Sequence, residues 1–237
     1  MRTVEIEEQI DSIGYEFFKD KSEKELEEIK EALLLRFNPY DEEDCIKAIS
    51  QRCNIRDIKV FTKKVYDAII ANGKFEYLEN PPHNVCLDAV KYNHNNINYI
   101  DHPTLDMIEI AVMEYPPRIA NINDYIEKSG EVNKPETTIF LMELYNKILK
   151  LDGVYIDYIP KNSRTKEMYN IAVETTPGAI FYYDGDDENL YLKAVKQNGL
   201  LLDLIPAKNQ TIKICTEAVK QNGRAIKYVK DLSKLQF

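Results

Sequence analysis

The chain has 237 residues, of which 44% are hydrophobic and 30% charged, and its formal net charge is −9. This composition is ordinary for a soluble globular protein, and the acidic balance disfavours a duplex-binding surface, which needs clustered lysine and arginine to neutralise phosphates. No run of about 18 apolar residues occurs, so a membrane-spanning helix is also excluded.

Residues 1–40 precede the regular pattern of the chain and are predicted to form an N-terminal helical cap. Ser22 to Glu25 has the form of a capping box, in which a serine and a glutamate satisfy backbone N–H groups at a helix start. A stack of repeats needs its open end covered, and a separate recruitment module is the alternative interpretation. Apolar residues at helical spacing lie on both sides of the box: Ile10, Ile13, Phe17, Leu26, Ile29, Leu33 and Phe37.

From residue 41 onward, a unit of roughly 22 residues recurs about eight times. Each unit has an anchor residue, which is followed directly by one apolar residue and preceded, three positions earlier, by another. These three positions lie on one face of an α-helix, so we predict that they mark the first helix of each unit. The anchors are Ala48, Ala68, Ala89, Ala111, Ile148, Ala172, Ala194 and Ala218.

Two columns of apolar side chains flank the anchors, and we expect both columns to be buried. The residues that follow the anchors are Ile49, Ile69, Val90, Val112, Leu149, Val173, Val195 and Val219. The residues three positions before the anchors are Cys45, Val65, Cys86, Ile108, Tyr145, Tyr169, Tyr191 and Cys215. The three cysteines of this preceding column are therefore expected to resist thiol reagents in the folded protein.

Five residues after the anchor, the first helix is predicted to end. Glycine stands there in four units, at Gly73, Gly153, Gly199 and Gly223, and we expect it to adopt the left-handed conformation that terminates a helix. Two other units have proline at this position. A second apolar pair then predicts a shorter helix or a 3₁₀ turn. The pairs are Ile55 and Ile58, Phe75 and Leu78, Ile97 and Ile100, Ile119 and Ile122, Ile156 and Ile159, Ile180 and Tyr183, Leu202 and Ile205, and Ile226 and Val229.

One interval is irregular, because 37 residues separate Ala111 from Ile148. It contains a polar stretch over residues 123–137, which we interpret as an insertion that lengthens a loop and the helix predicted over residues 138–151. We favour one continuous array over residues 41–237, and a division into two lobes is the alternative. Each unit is a helical hairpin that buries its apolar face only by stacking. The sequence therefore predicts an all-α protein, an α-solenoid.

The clearest repeat lies in the last two units, where Ala194 to Gly199 (Ala-Val-Lys-Gln-Asn-Gly) recurs unchanged as Ala218 to Gly223. These units resemble a helical repeat catalogued as domain of unknown function number 4116, which is found in large DNA viruses of amoebae and in some protist and bacterial proteins. The resemblance is specific over residues 190–229, moderate over 145–183 and faint over 41–122. It implies a repeat scaffold, with a viral source among those of the family, and brings no catalytic residue.

Two polar clusters are candidates for metal binding, and the sequence favours a structural interpretation of both. His83, Cys86, His94 and His102 lie close together, but Cys86 belongs to a buried column and the spacing matches no zinc finger. The acidic segment 184–188 lacks the ligand pattern of a calcium-binding EF-hand loop and sits where a loop and a helix start belong. We predict no metal ligand, no cofactor-binding residue and no catalytic residue.

The repeats, together with the absence of a catalytic motif, predict a non-enzymatic scaffold that binds an unidentified protein. Nucleic-acid binding is the alternative, in which Lys196-Gln197 and Lys220-Gln221 would line a groove, as in helical repeats that bind single-stranded RNA. An enzyme with an unrecognised site is the third hypothesis. Four cysteines without a short paired spacing indicate a reducing, cytoplasmic location.

The remaining features concern the tyrosines and the end of the array. Sixteen tyrosines occur; some, including Tyr169, Tyr191 and Tyr228, are interpreted as core, and others are candidates for a groove, because amphipathic rings suit binding surfaces. After the last unit, Leu232, Leu235 and Phe237 are predicted to cap the stack. We favour a monomer, and pairing of this end with a second copy would give a symmetric dimer instead.

Overall fold

The structure is a computed structural model that describes residue 22 and residues 38–51, 53–130 and 134–231. Most of the predicted N-terminal cap, and the predicted C-terminal cap of Leu232, Leu235 and Phe237, lie outside these residues. The chain forms two compact units, Met1–Pro103 and Thr104–Phe237. Each compact unit is larger than one repeat and contains several of them. The boundary between the units therefore precedes the polar stretch at residues 123–137.

Within its described residues, the first compact unit contains three short α-helices, each followed by a 3₁₀ helix. Asp41 and Thr62 begin the first two by accepting hydrogen bonds from the backbone N–H groups of Asp44 and Val65. The α-helices are α1 (Glu42–Ser50), α2 (Lys63–Ala71) and α3 (His83–Tyr92). The 3₁₀ helices are Ile55–Asp57, Phe75–Tyr77 and His94–Tyr99.

The described residues of the second compact unit also form short α-helices and 3₁₀ helices, and the longest α-helix has 17 residues. The α-helices of this unit are α4 (Leu105–Glu114), α5 (Ile119–Ser129), α6 (Pro135–Leu151), α7 (Lys166–Thr175), α8 (Glu188–Gln197) and α9 (Ile212–Gln221). Its 3₁₀ helices are Pro116–Arg118, Gly153–Tyr158, Lys161–Ser163, Pro177–Tyr182, Gly199–Leu204, Ala207–Asn209 and Gly223–Tyr228. The described part of the chain contains no strand, so the predicted all-helical class is confirmed there.

The polar stretch at residues 123–137 is largely helical rather than a loop. Ile119, Ile122 and Ile126 are buried along one side of α5, and this longer apolar face explains why the second element of that unit is an α-helix. Gly130 ends α5 in the left-handed region, with φ 76°. The next helix begins at Pro135, three residues before the predicted start at 138, because proline fits the first turn of a helix.

The anchors and their two columns form the core of both units. All eight anchors lie inside α-helices, and nearly all of the residues in the two columns are buried. Tyr169 and Val219 of the two columns are half-buried, and so is the anchor Ala68. Cys45, Cys86 and Cys215 are buried and form no disulfide, and their burial is as the repeat register predicts.

The predicted role of the repeat glycines was wrong in most units. Of the four glycines after the anchors, only Gly73 has a positive φ, at 66°. At Gly153 and Gly199 the reason for glycine is close packing. A Cβ atom at Gly199 would lie 2.2 Å from the carbonyl oxygen of Ala218, and one at Gly153 would lie 2.0 Å from that of Ala172. The helix of the following unit thus occupies the space that a side chain would need.

Candidate interaction surface

The α-helices of the second compact unit expose a polar surface. Charged side chains on this surface form ion pairs between neighbouring repeats. Lys193 Nζ lies 2.6 Å from a carboxylate oxygen of Glu174, and Lys166 Nζ lies 2.5 Å from one of Asp187. The hydrogen bonds from these lysines hold the pKa values of Glu174 and Asp187 below their ordinary ranges. These side chains connect one unit to the next.

The glutamines of the repeated hexapeptide also serve the contact between units. Gln197 Nε2 donates to the carbonyl of Val173 at 3.2 Å, and Gln221 Nε2 donates to the carbonyl of Gln197 at 3.3 Å. The backbone N–H of Gly199 donates to Gln221 Oε1 at 2.6 Å. Because both glutamines bind backbone atoms of the preceding unit, they lend no support to the nucleic-acid alternative.

The 3₁₀ helices present a different surface, with large apolar side chains in solvent. Tyr158 is 39% exposed, Phe181 65% and Leu204 38%, and they come from three successive units. The 3₁₀ helices that carry them pack against one another in sequence. Tyr182 and Tyr228 are half-buried beside them. We call Tyr158, Phe181, Tyr182, Leu204 and Tyr228 the 3₁₀ face.

A chain of tyrosine rings supports the centre of the 3₁₀ face. The ring centroids of Tyr169 and Tyr183 are 4.9 Å apart, and those of Tyr183 and Tyr191 are 5.5 Å apart, both in edge-to-face geometry. The Tyr191 hydroxyl donates to the carbonyl of Gly185 at 2.8 Å, and burial raises its pKa to about 12. The exposed rings Phe181 and Tyr182 pack edge-to-face, with centroids 5.2 Å apart.

Gln210 holds together the 3₁₀ helices of the last two units. Its side chain is 1% exposed, and Nε2 lies 3.1 to 3.2 Å from the carbonyl oxygens of Leu202, Ile205 and Tyr228. Its Oε1 accepts from the backbone N–H of Lys230 at 3.0 Å. One buried amide thus satisfies backbone groups of both units, which keeps the 3₁₀ face in a fixed arrangement.

In the first compact unit, two exposed tyrosines also lie on 3₁₀ helices. Tyr77 and Tyr99 are exposed on neighbouring 3₁₀ helices, and both hydrogen-bond to the carboxylate of Glu76, which raises their pKa values. An open cavity of about 660 Å³ lies beside Tyr77. Lys74, on its wall, donates to the carbonyl of Cys53 at 2.9 Å.

Cys86 and Asp187 come from the two clusters that were considered for metal binding, and each has a structural role. Cys86 is buried, with its Sγ 3.5 Å from the carbonyl oxygen of Pro81. Asp187, in the acidic segment 184–188, begins α8 and accepts from the backbone N–H of Asn189 at 3.0 Å. Among the residues that the structure describes, no group of three or more His, Cys, Asp or Glu side chains is placed to hold a metal ion, and no helix is long and apolar enough to cross a membrane.

The 3₁₀ face does not follow from the buried columns, because these columns mark only the positions that face the core. Tyrosine stands ten residues after the anchor in four units, at Tyr99, Tyr158, Tyr182 and Tyr228, and this recurrence was the available signal. Tyr228 was interpreted as core, but it is only half-buried.

The fold is that of an all-helical protein built from short α- and 3₁₀-helical units. Residues 187–232 match the family described as Domain of unknown function (DUF4116). The match contains α8, α9, their 3₁₀ helices and both copies of the hexapeptide. None of the curated proteins and none of the solved structures matches the chain.

Proposed function

We propose that the chain is a non-enzymatic scaffold in which tandem helical repeats stack as an α-solenoid and bind a protein partner through the 3₁₀ face. The observation that carries the proposal is the succession of exposed Tyr158, Phe181 and Leu204 on three neighbouring units. Single exposed apolar side chains are common, whereas a contiguous row of them marks an interaction site.

The chemistry of the 3₁₀ face suits protein binding. Aromatic side chains are enriched at the centres of protein interfaces, because they bury a large area and lose few rotamers on binding. The tyrosine rings and Gln210 beneath the face limit its motion, which reduces the entropy lost on association. By contrast, the paired charges on the α-helices are engaged between units. The 3₁₀ face is therefore the side that we assign to the partner.

The cysteines support a reducing, cytoplasmic compartment as part of the same proposal. Cys45, Cys53, Cys86 and Cys215 are all buried, and none of them forms a disulfide. Burial raises the pKa values of Cys45 and Cys86, so their reactive thiolate forms are disfavoured at neutral pH. The chain thus uses its cysteines as small apolar core residues rather than as disulfide partners.

The test compares two matched triple variants in affinity capture from the cells that produce the protein. The first replaces Tyr158, Phe181 and Leu204 with serine. The control replaces three exposed lysines on the α-helices with serine: Lys196, Lys213 and Lys220. We expect the wild-type chain and the control to recover the same protein, and the first variant to lose it while keeping its helical circular dichroism spectrum.

Two outcomes would contradict the proposal. Equal recovery by both variants would show that the 3₁₀ face does not bind the partner. Loss of recovery in the lysine variant alone, together with sensitivity to nuclease, would favour nucleic-acid binding.

A further inference from the structure

The first compact unit has a second cavity next to the one that lies beside Tyr77. Its volume is about 460 Å³, and it shares Ile55, Arg56 and Tyr77 with the larger cavity. Most of its wall comes from the first two 3₁₀ helices of the unit and from the segments that follow them. We call this second cavity the aromatic groove, because the rings of Phe61, Tyr66 and Tyr77 line it.

The three rings give the groove flat apolar walls that are open to solvent. Phe61 is 43% exposed and Tyr77 is 57% exposed. The rings of Phe61 and Tyr66 stack, with centroids 5.5 Å apart and an interplanar angle of 29°. The Tyr77 hydroxyl is hydrogen-bonded to the carboxylate of Glu76, which holds its ring in place. A ligand with flat apolar faces can therefore pack between rings that are already positioned.

The polar side chains of the groove are mainly hydrogen-bond donors. Arg56 and Lys59 line the groove, and their charged groups carry donors and no acceptor. The acceptor side chain of the wall, Glu79, is paired with Arg56 at 3.8 Å. Within the described part of the chain, the Tyr66 hydroxyl has no hydrogen-bond partner. The groove thus favours a ligand that offers acceptors.

We propose that the aromatic groove binds a proline-rich segment of a partner protein in the polyproline II conformation. Proline has a backbone carbonyl group but no N–H, so such a segment presents acceptors to the groove and leaves no buried donor unsatisfied. Polyproline II has no internal hydrogen bonds, whereas most carbonyl groups of an α-helix are already engaged. Grooves lined by aromatic rings bind proline-rich segments in several other classes of protein.

The sequence and the size of the groove argue against an occupant from the chain itself. Residues 1–37 and 232–237 contain no proline. A stable interface with a second copy would use about 20–30 residues on each side, whereas ten residues line the groove. A short segment of another protein is therefore the occupant to which we commit. This inference concerns a different surface from the 3₁₀ face and does not depend on the proposed function.

The probe is a fluorescent decaproline peptide, titrated with the full-length chain and followed by fluorescence anisotropy. We expect saturable binding, and no binding of a glycine-serine peptide of the same length. Tyr77→Ala and Phe61→Ala should each weaken the binding of decaproline by about tenfold or more, because the ligand loses a packing surface. Tyr66→Phe keeps the ring and removes the donor, so it should weaken binding by about two- to tenfold.

Tyr92→Ala is the matched control, because Tyr92 is a 63% exposed tyrosine of the same compact unit and does not line the groove. This variant should bind decaproline as the wild type does. The triple serine variant of the 3₁₀ face should also bind it unchanged, which separates this test from that of the proposed function. All of the variants should keep the helical circular dichroism spectrum of the wild type.

Three results would overturn the proposal. The first is an absence of saturable decaproline binding to the wild-type chain, and the second is equal binding by the Tyr77→Ala and Tyr92→Ala variants. The third comes from sedimentation equilibrium of the chain alone, where a dimer that Tyr77→Ala dissociates would assign the groove to a second copy.

Discussion

Substitution of Gly199 by alanine adds a single Cβ atom at the contact between two neighbouring repeats. It therefore tests how closely these repeats pack. The new Cβ would lie 2.2 Å from the Ala218 carbonyl oxygen, whereas an ordinary contact needs about 3.4 Å or more. The helix α9 would therefore have to move by about 1.2 Å, the difference of these two distances. This movement would also stretch the 2.6 Å hydrogen bond from the Gly199 N–H to Gln221 Oε1.

The expected loss of stability follows from three terms. Overpacking costs about 1–3 kcal/mol, and a weakened hydrogen bond costs about 0.5–1.5 kcal/mol. The lower entropy of the unfolded alanine chain offsets roughly 0.4–1 kcal/mol. We expect a net destabilisation of about 1–3 kcal/mol, which is a decrease in melting temperature of roughly 3–12 °C for a unit of this size.

Thermal unfolding followed by circular dichroism measures this decrease. The Gly223→Ala and Gly178→Ala variants are the controls, because their Cβ atoms meet nothing within 4 Å, and their melting temperatures should equal or slightly exceed that of the wild type. A Gly199→Ala variant as stable as these controls would refute the argument that the glycine is required by the close approach of α9.

Three further predictions concern buried groups. Replacing Gln210 with leucine should lower the free energy of unfolding by about 1–3 kcal/mol or more, because buried carbonyl groups lose their donor; unchanged urea denaturation would argue against its bridging role. Burial raises the pKa of Tyr191 to about 12, above its ordinary value near 10. Its contribution to stability is therefore fully present below about pH 10 and is lost as the pH rises to about 12. A Tyr191→Phe variant should lose less stability than the wild type between these pH values, and equal losses would contradict this cause. Thiol titration should label Cys45, Cys86 and Cys215 slowly until denaturant is added, and rapid labelling of all three would contradict the repeat register.

The sequence predicted the helical units because their pattern depends on local periodicity. A small anchor with apolar neighbours at helical spacing, such as Cys215, Ala218 and Val219, marks both the helix and its buried side. The reason for Gly199 could not be predicted in this way, since it depends on the carbonyl group of Ala218, which approaches Gly199 only in the folded protein. A short sequence motif is compatible with either a helix-ending conformation or a close contact, and only the three-dimensional structure distinguishes them.

The 3₁₀ face was harder to predict because the type of a residue does not determine whether its side chain is exposed. Tyr191 and Tyr158 are both tyrosines in repeat positions, yet the first is buried and the second is 39% exposed. Tyr191 stands in α8, three residues before its anchor, whereas Tyr158 stands in a 3₁₀ helix two residues after the buried Ile156. The predicted absence of catalytic and metal-binding residues stays a prediction.

Site-specific photo-crosslinking tests the proposed use of the 3₁₀ face most directly. A photoreactive phenylalanine analogue is placed at Phe181 on the 3₁₀ face or, as the control, at Lys196 on the exposed side of α8, and the cells that produce the protein are irradiated. We predict a discrete cross-linked protein from position 181 and none from position 196. Cross-linking from position 196 alone, or to nucleic acid rather than protein, would contradict the assignment of this surface to a protein partner.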